Sequence, residues 1–207
     1  MTTQSLEEEI KQRDQRNKQS AKKPEIVDVP PMNFLMVDGA GDPNTSQTYH
    51  DALEALYALS YTLKFTLKKA DGADYRVAPL EGLWWSEEMA AFLSGERARW
   101  QWTMMIAQPS PVTESRVVQA IEEVRRKKNP VALPLVRFAS YHEGLAAQIM
   151  HIGPYATEAP TIQRLHEFIH GEGGVLQHKH HEIYLGDPRR TAPERLKTVI
   201  RQPFVRG

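Results

Sequence analysis

Three groups of residues in this chain could do chemistry. His166-Glu167-Phe168-Ile169-His170 sets two histidines one helical turn apart around a glutamate, the spacing that presents two nitrogens to zinc and a base to its water. The buried stripe of that helix is set by Ile162, Leu165 and Ile169, which leaves both histidines beside it. Arg164 and Glu172 add charge next to the pair, and Gly171-Glu172-Gly173-Gly174 ends the helix at once. The motif therefore reads as surface histidines, and no metal or other cofactor is expected. His178, His180 and His181 form a second cluster. On a strand His180 and His181 point to opposite faces and cannot converge on one ion, so these read as solvated loop histidines.

The third group is the strongest. In His181-Glu182-Ile183-Tyr184-Leu185, strand alternation puts Glu182 and Tyr184 on one face and Ile183 and Leu185 on the core face. A lone carboxylate beside apolar rings has its charged form disfavoured, which raises its pKa and suits acid or base work or pairing with a cation. The rings to accompany it are concentrated: Trp84, Trp85, Trp100 and Trp102 are all four tryptophans of the chain. Alternation puts Trp100, Trp102 and Met104 on one face and splits Trp84 from Trp85, so at least one ring should reach an open cleft. Glu143 and Glu158 are the reserve carboxylates.

The elements that must position these residues repeat. Phe34-Leu35-Met36-Val37-Asp38-Gly39, a helix, and two strands closing on Ile106-Ala107-Gln108-Pro109 are echoed by Gln148-Ile149-Met150-His151-Ile152-Gly153, a helix, and Ile200-Arg201-Gln202-Pro203. The fold expected is α+β, a tandem repeat of two β-α-β-β units with a ligand cleft between the halves. The halves span about 32–109 and 135–204 within a domain of 25–207, joined by a linker helix over about 113–128 and preceded by a flexible charged arm over 1–24. In the first half the helix carries Leu53, Leu56, Tyr57, Leu59, Ser60, Leu63 and Leu67 at helical spacing. A strand over Tyr75 to Trp85 and one over Trp100 to Gln108 flank a short polar segment around Glu87 to Glu96. The second half ends with strands over His181 to Leu185 and Leu196 to Gln202.

Composition narrows the function. The 207 residues hold 26 basic and 26 acidic side chains, so no basic field exists to hold nucleic acid. The absence of cysteine removes disulfides and thiolate chemistry, and no stretch reaches the roughly 20 apolar residues of a membrane span. A cytoplasmic monomer or homodimer is expected, with a small hydrophobic or cationic molecule as its partner.

Met32-Asn33-Phe34-Leu35-Met36-Val37-Asp38-Gly39-x-Gly41-Asp42-Pro43-Asn44, Pro79-Leu80-Glu81-Gly82-Leu83-Trp84-Trp85 and Glu182-Ile183-Tyr184-Leu185-x-Asp187-Pro188 resemble the stand-alone bacterial branch of the GyrI-like small-molecule-binding family. The resemblance runs over about residues 24 to 207. It implies two strand-helix-strand-strand units around a ligand cleft. Members of that family serve as drug-sensing modules of transcription regulators, as a gyrase inhibitor and, in some stand-alone cases, as hydrolases that open the strained cyclopropane of DNA-alkylating natural products. The resemblance makes Glu182 the ligand-binding glutamate and Tyr155 of Ile152-Gly153-Pro154-Tyr155 a cleft tyrosine, with Trp85 and Trp102 as further ligand contacts. Two functions are expected on this basis. One is a metal-independent hydrolase that uses Glu182 and Tyr184 catalytically and Trp85, Trp102, Met104, Tyr155 and Glu158 for binding. The other is a protein that sequesters hydrophobic or cationic drugs without turnover.

Overall fold

Prolines set the first boundaries. Pro24 and the pair Pro30-Pro31 flank β1 (Glu25–Val29), because proline lacks an amide proton and biases its predecessor toward extended geometry. The computed structural model describes residues 3–86 and 99–207. The polar segment expected around Glu87 to Glu96 lies outside the described residues. The charged N-terminal stretch contains a helix, α1 (Thr3–Arg16), which buries Leu6. Its Glu9 carboxylate accepts the Ser110 amide at 3.0 Å and the Ser110 hydroxyl at 2.5 Å.

Beyond β2 (Met32–Ala40), the Ser46 hydroxyl accepts from the Tyr49 amide and starts α2 (Gln47–Asp71). Gly72, at φ 67°, ends that helix by donating its N–H to the Lys68 carbonyl, a left-handed position that favours glycine. Leu56, Leu59, Ser60, Leu63 and Leu67 are buried as their spacing predicts. The linker helix α3 (Glu114–Lys127) is capped by Thr113, with Glu114 in its first turn and Arg125, Arg126 and Lys127 in its last, signs that suit the helix dipole.

The chain forms two compact units. The first takes Met1–Arg13, Met32–Ala78 and Trp85–Tyr141. Its β2 is central, antiparallel to β4 (Gln101–Gln108) from Asn33 opposite Gln108 to Ala40 opposite Gln101. On its other edge β2 pairs with β5 (Arg137–Tyr141), from Met32 opposite Tyr141 to Met36 opposite Arg137. α2 packs on β2 and β4, and α3 packs on α2.

The second unit takes Asp14–Pro31, Pro79–Trp84 and His142–Gly207. Its strands lie in the order β1, β6 (Gly144–Ile152), β9 (Lys197–Arg206), β8 (His180–Tyr184) and β3 (Leu80–Trp85), each antiparallel to its neighbour. α4 (Ala159–Gly171) buries Leu165 and Ile169 against Ala147, Ile149, Ile200 and Phe204 of β6 and β9. β9 runs past Gln202, farther than the sequence suggests, because β7 (Gly174–Leu176) supplies a partner for Phe204, Val205 and Arg206. β3 starts at Leu80, after Pro79, and not at Tyr75.

Each unit recruits a strand from outside its own run of sequence. β1 precedes β2 in the chain yet pairs with β6, while β5 precedes β6 yet pairs with β2.

Candidate active site

Strand alternation on β8 builds two polar clusters in the second unit, one on each face. On the first face are His180, Glu182 and Tyr184. The Tyr184 hydroxyl donates to Oε2 of Glu182 at 2.7 Å, and His180 Nε2 faces Oε1 at 3.1 Å, where an ionised carboxylate can only accept. Across on β3, Trp84 stands opposite His180 in register and donates its indole N–H to the Tyr184 oxygen at 2.9 Å. Gly82 stands opposite Glu182 and presents no side chain there. The Glu182 side chain keeps 13% of its surface exposed.

A turn between β6 and α4 completes this face. Gly153 adopts φ 141°, and a Cβ there would come within 3.2 Å of His151 Nε2 and 3.3 Å of Thr157 Oγ1, so the turn closes only around glycine. The single 3₁₀ turn Tyr155–Thr157 follows and leads into Glu158, a buried residue at the start of α4. Tyr155 meets the Tyr184 ring edge-on at 5.6 Å between centroids and is 37% exposed. His151 accepts from the Thr161 hydroxyl at Nδ1 and donates from Nε2 to the Pro154 carbonyl, the tautomer these partners require. Burial holds its pKa down, opposed by that carbonyl and by the charge of Glu182.

Glu182 is therefore not the lone carboxylate the sequence suggests, and its pKa moves the other way. Burial alone would raise it. The hydrogen bond and charge of His180, the Tyr184 hydroxyl and a hydrogen bond with Glu158 outweigh burial and hold the carboxyl below its ordinary value. The group is an anion at neutral pH.

The opposite face of β8 carries His181, which is wholly buried between two carboxylates. Nε2 lies 3.0 Å from Glu81 Oε2, and Nδ1 lies 2.9 Å from Glu143 Oε1. Both ring nitrogens must donate, so the ring is an imidazolium. Burial opposes that charge, but Glu143 and then Glu81 raise the pKa to about 9. Burial also opposes the charge of Glu143, yet His181 and Arg201 hold its pKa at about 2. Arg201 donates to Glu143 at 3.0 Å, to Gln148 at 2.7 Å and to Asn17 at 3.1 Å, and Gln148 donates to the Arg16 carbonyl at 2.8 Å. Two cations and two anions are thus buried as a hydrogen-bonded set with no net charge.

The structure gathers Glu182, Tyr184, Tyr155 and Glu158 from among the expected site residues and adds His180, Trp84 and His151. His180 was legible in the alternation that picked out Glu182 and Tyr184, since it is two residues earlier; both it and His181 are buried strand residues, and only His178 is exposed. Trp84 owes its place to the pairing of β3 with β8, which local pattern does not reveal. Trp85 is half-buried at the last position of β3. Trp102 and Met104 are wholly buried in the first unit. There Trp102 meets Tyr49 edge-on at 5.5 Å and lies where a Cβ on Gly39 would come within 2.2 Å of its ring. His166 is half-buried, and burial, with the charges of His180 and His170, lowers its pKa to about 4. Among the described residues no three His, Asp or Glu side chains assemble as a metal site requires, and no helix is long and apolar enough to cross a membrane.

The GyrI-like small molecule binding domain matches residues 22–204. None of the curated proteins matches the chain. A solved structure of an uncharacterized conserved protein from Listeria innocua is 40% identical, covers 94% of this chain and 98% of its own, and superposes with a TM-score of 0.87. Another from Listeria innocua, described as a hydrolase, is 39% identical over 95% of this chain and 98% of its own, with a TM-score of 0.82. The EcmrR C-terminal domain shares the fold at 10% identity and a TM-score of 0.57, over 89% of this chain and 98% of its own.

Proposed function

We propose, from the premise that this chain belongs to the GyrI-like small-molecule-binding family, that it is a cytoplasmic detoxifying hydrolase of flat, apolar electrophiles strained by a cyclopropane ring. One observation carries the reading: an ionised, partly exposed Glu182 held by His180 and Tyr184 in a setting completed by Trp84 and Tyr155. The description of a 39% identical protein from Listeria innocua as a hydrolase supports the reaction class.

The chemistry is addition of water. The water oxygen bonds to the electrophilic ring carbon, the strained C–C bond breaks, and its electron pair moves into a conjugated carbonyl. Glu182 orients the water and accepts its proton. A low pKa makes it a weak base that is always in the basic form, so ring strain supplies the drive and the carboxylate supplies the alignment. Tyr184 has its proton committed to Glu182, so Tyr155 donates to the developing oxyanion, which solvent then protonates. The product is substrate plus one water.

A second reading, sequestration of hydrophobic cations without turnover, is favoured by the same fixed anion beside aromatic rings. Incubation with an excess of a cyclopropane-bearing alkylating agent separates the two. Many equivalents of ring-opened, hydrated product per protein support the hydrolase. Protection of the agent at one equivalent with no product selects sequestration and overturns it.

A further inference from the structure

β3 and β8 are tied on both faces by side chains that slope in opposite directions. In register, Trp84 stands opposite His180, Leu83 opposite His181, Gly82 opposite Glu182, Glu81 opposite Ile183 and Leu80 opposite Tyr184. On the site face the indole of Trp84 starts two rungs before Glu182 and reaches Tyr184, two rungs beyond it, at 2.9 Å. On the other face His181 starts one rung before Glu182 and reaches Glu81, one rung beyond it, at 3.0 Å. The first tie runs from β3 to β8 and the second from β8 to β3, so they form opposite diagonals, both centred on the rung of Glu182 and Gly82. A single diagonal opposes sliding of one strand past the other in one sense. Two opposite diagonals oppose it in both.

The tie behind the site supplies direction more than energy. The side chains of His181 and Glu81 are 0% and 2% exposed. Exchanging a buried ion pair for apolar side chains of similar volume is often neutral or stabilising, so what the charged pair adds over leucines is a bond of fixed length and angle. The ring cannot swing away, because Glu143 holds Nδ1 at 2.9 Å and Arg201 of β9 holds Glu143 at 3.0 Å. Arg201 also donates to Gln148 of β6 at 2.7 Å. Side-chain bonds on this face thus cross β6, β9, β8 and β3. An odd number of residues separates Gln148 from His151, His181 from Glu182 and Glu81 from Trp84, so the same strands present their site residues on the opposite face.

We propose that His181 and Glu81 are positioning residues of the site: their bond braces β3 against β8 from behind and so holds Trp84 and Tyr184 in line about Glu182. This role rests on Glu182 being the reacting carboxylate proposed above. Neither residue touches the substrate.

Two paired replacements test the brace. His181→Leu with Glu81→Leu removes it without leaving a net buried charge, since Glu143 keeps Arg201. His181→Gln with Glu81→Gln also removes the charges but allows an amide bond along the same diagonal. Both should fold with melting temperatures above the assay range. In the leucine pair kcat on a cyclopropane-bearing alkylating agent should fall about 10- to 100-fold, the scale that a small misplacement of reacting groups costs. In the glutamine pair kcat should stay close to wild type. A second readout needs no substrate: hydrogen exchange of the Trp84 indole proton by NMR, its signal assigned by loss in Trp84→Phe. That exchange should quicken about tenfold or more in the leucine pair, as expected for a locally loosened hydrogen bond, and not in the glutamine pair. If the leucine pair does not stay folded, Glu81→Leu alone, which leaves His181 bonded to Glu143, supplies the same comparison. Wild-type kcat and indole exchange without the bond would overturn the brace, and so would a glutamine pair as impaired as the leucine pair. If the wild-type chain hydrolyses no cyclopropane substrate, the reaction assigned above falls and indole exchange alone decides the brace.

Discussion

Tyr184 donates its hydroxyl proton to Oε2 of Glu182 at 2.7 Å, two residues along the same strand and on the same face. That contact helps to hold the carboxyl below its ordinary pKa, and in the proposed reaction it makes the tyrosine a positioning residue. A hydrogen bond to a charged group contributes about 1.5–3 kcal/mol. Tyr184→Phe should therefore raise the Glu182 pKa, because one of the hydrogen bonds that hold it down is lost. The acidic limb of the pH–rate profile should move up with it. An unmoved acidic limb would dissociate Tyr184 from the charge of Glu182.

Stability should fall on both sides of a plateau set by His181 and Glu143. The folded pKa of His181 is raised to about 9 from 6.5, so its contribution is full below 6.5 and is lost as pH rises through 9. The folded pKa of Glu143 is held at about 2 against 4.5, so its contribution is full above 4.5 and is lost as pH falls through 2. Thermal unfolding followed across this range should give its highest midpoint between 4.5 and 6.5 as far as these two groups decide. His181→Ala leaves Glu81 and Glu143 with one cation between them and should destabilise by about 3–5 kcal/mol. A flat profile between 6.5 and 9 would mean that His181 is not charged in the folded protein.

What the sequence made legible follows from the range of the interactions involved. Helices α2 and α3 could be read because their caps, Ser46 and Thr113, and their apolar spacing are local. Glu182 and Tyr184 could be read because alternation is local as well. The pKa of Glu182 could not, since its sign depends on His180, Tyr184 and Glu158 together. The partnership of His181 with Glu81 and Glu143 spans 100 and 38 residues, and no local pattern carries it. Trp102 was a candidate ring because tryptophans cluster around it, but its contacts with Gly39 and Tyr49 give it a packing role in the first unit.

The H-E-x-x-H match is expected to be inert. His166, with a pKa of about 4, is neutral at physiological pH, and its partner His170 is exposed. Dialysis against a chelator should leave the melting temperature and ligand binding unchanged. One equivalent of zinc retained by the purified protein and lost in His166→Gln would contradict this.

The decisive prediction concerns Glu182 and Trp84, which should fail in different ways. Glu182→Gln is nearly isosteric and can still accept from Tyr184, so the fold should survive. The substitution removes both the proton acceptor and the negative charge. General-base contributions are typically about 100- to 10,000-fold, so hydrolysis should fall on that order while binding of a neutral planar compound changes little. Trp84→Ala removes a ring that is itself only 4% exposed, together with the indole donor to Tyr184, so it should cost stability as well as turnover. Trp102→Ala serves as the contrast, because truncating a wholly buried aromatic typically costs about 3–5 kcal/mol but here leaves the hydrogen bonds around Glu182 in place, so the protein that remains folded should keep its turnover. Kinetics, binding and melting temperature measured on the three variants with one substrate separate these outcomes. Near-normal turnover in Glu182→Gln would move the role to Glu158, the neighbouring carboxylate at the start of α4, because Glu143 is buried with His181 and Arg201 on the opposite face.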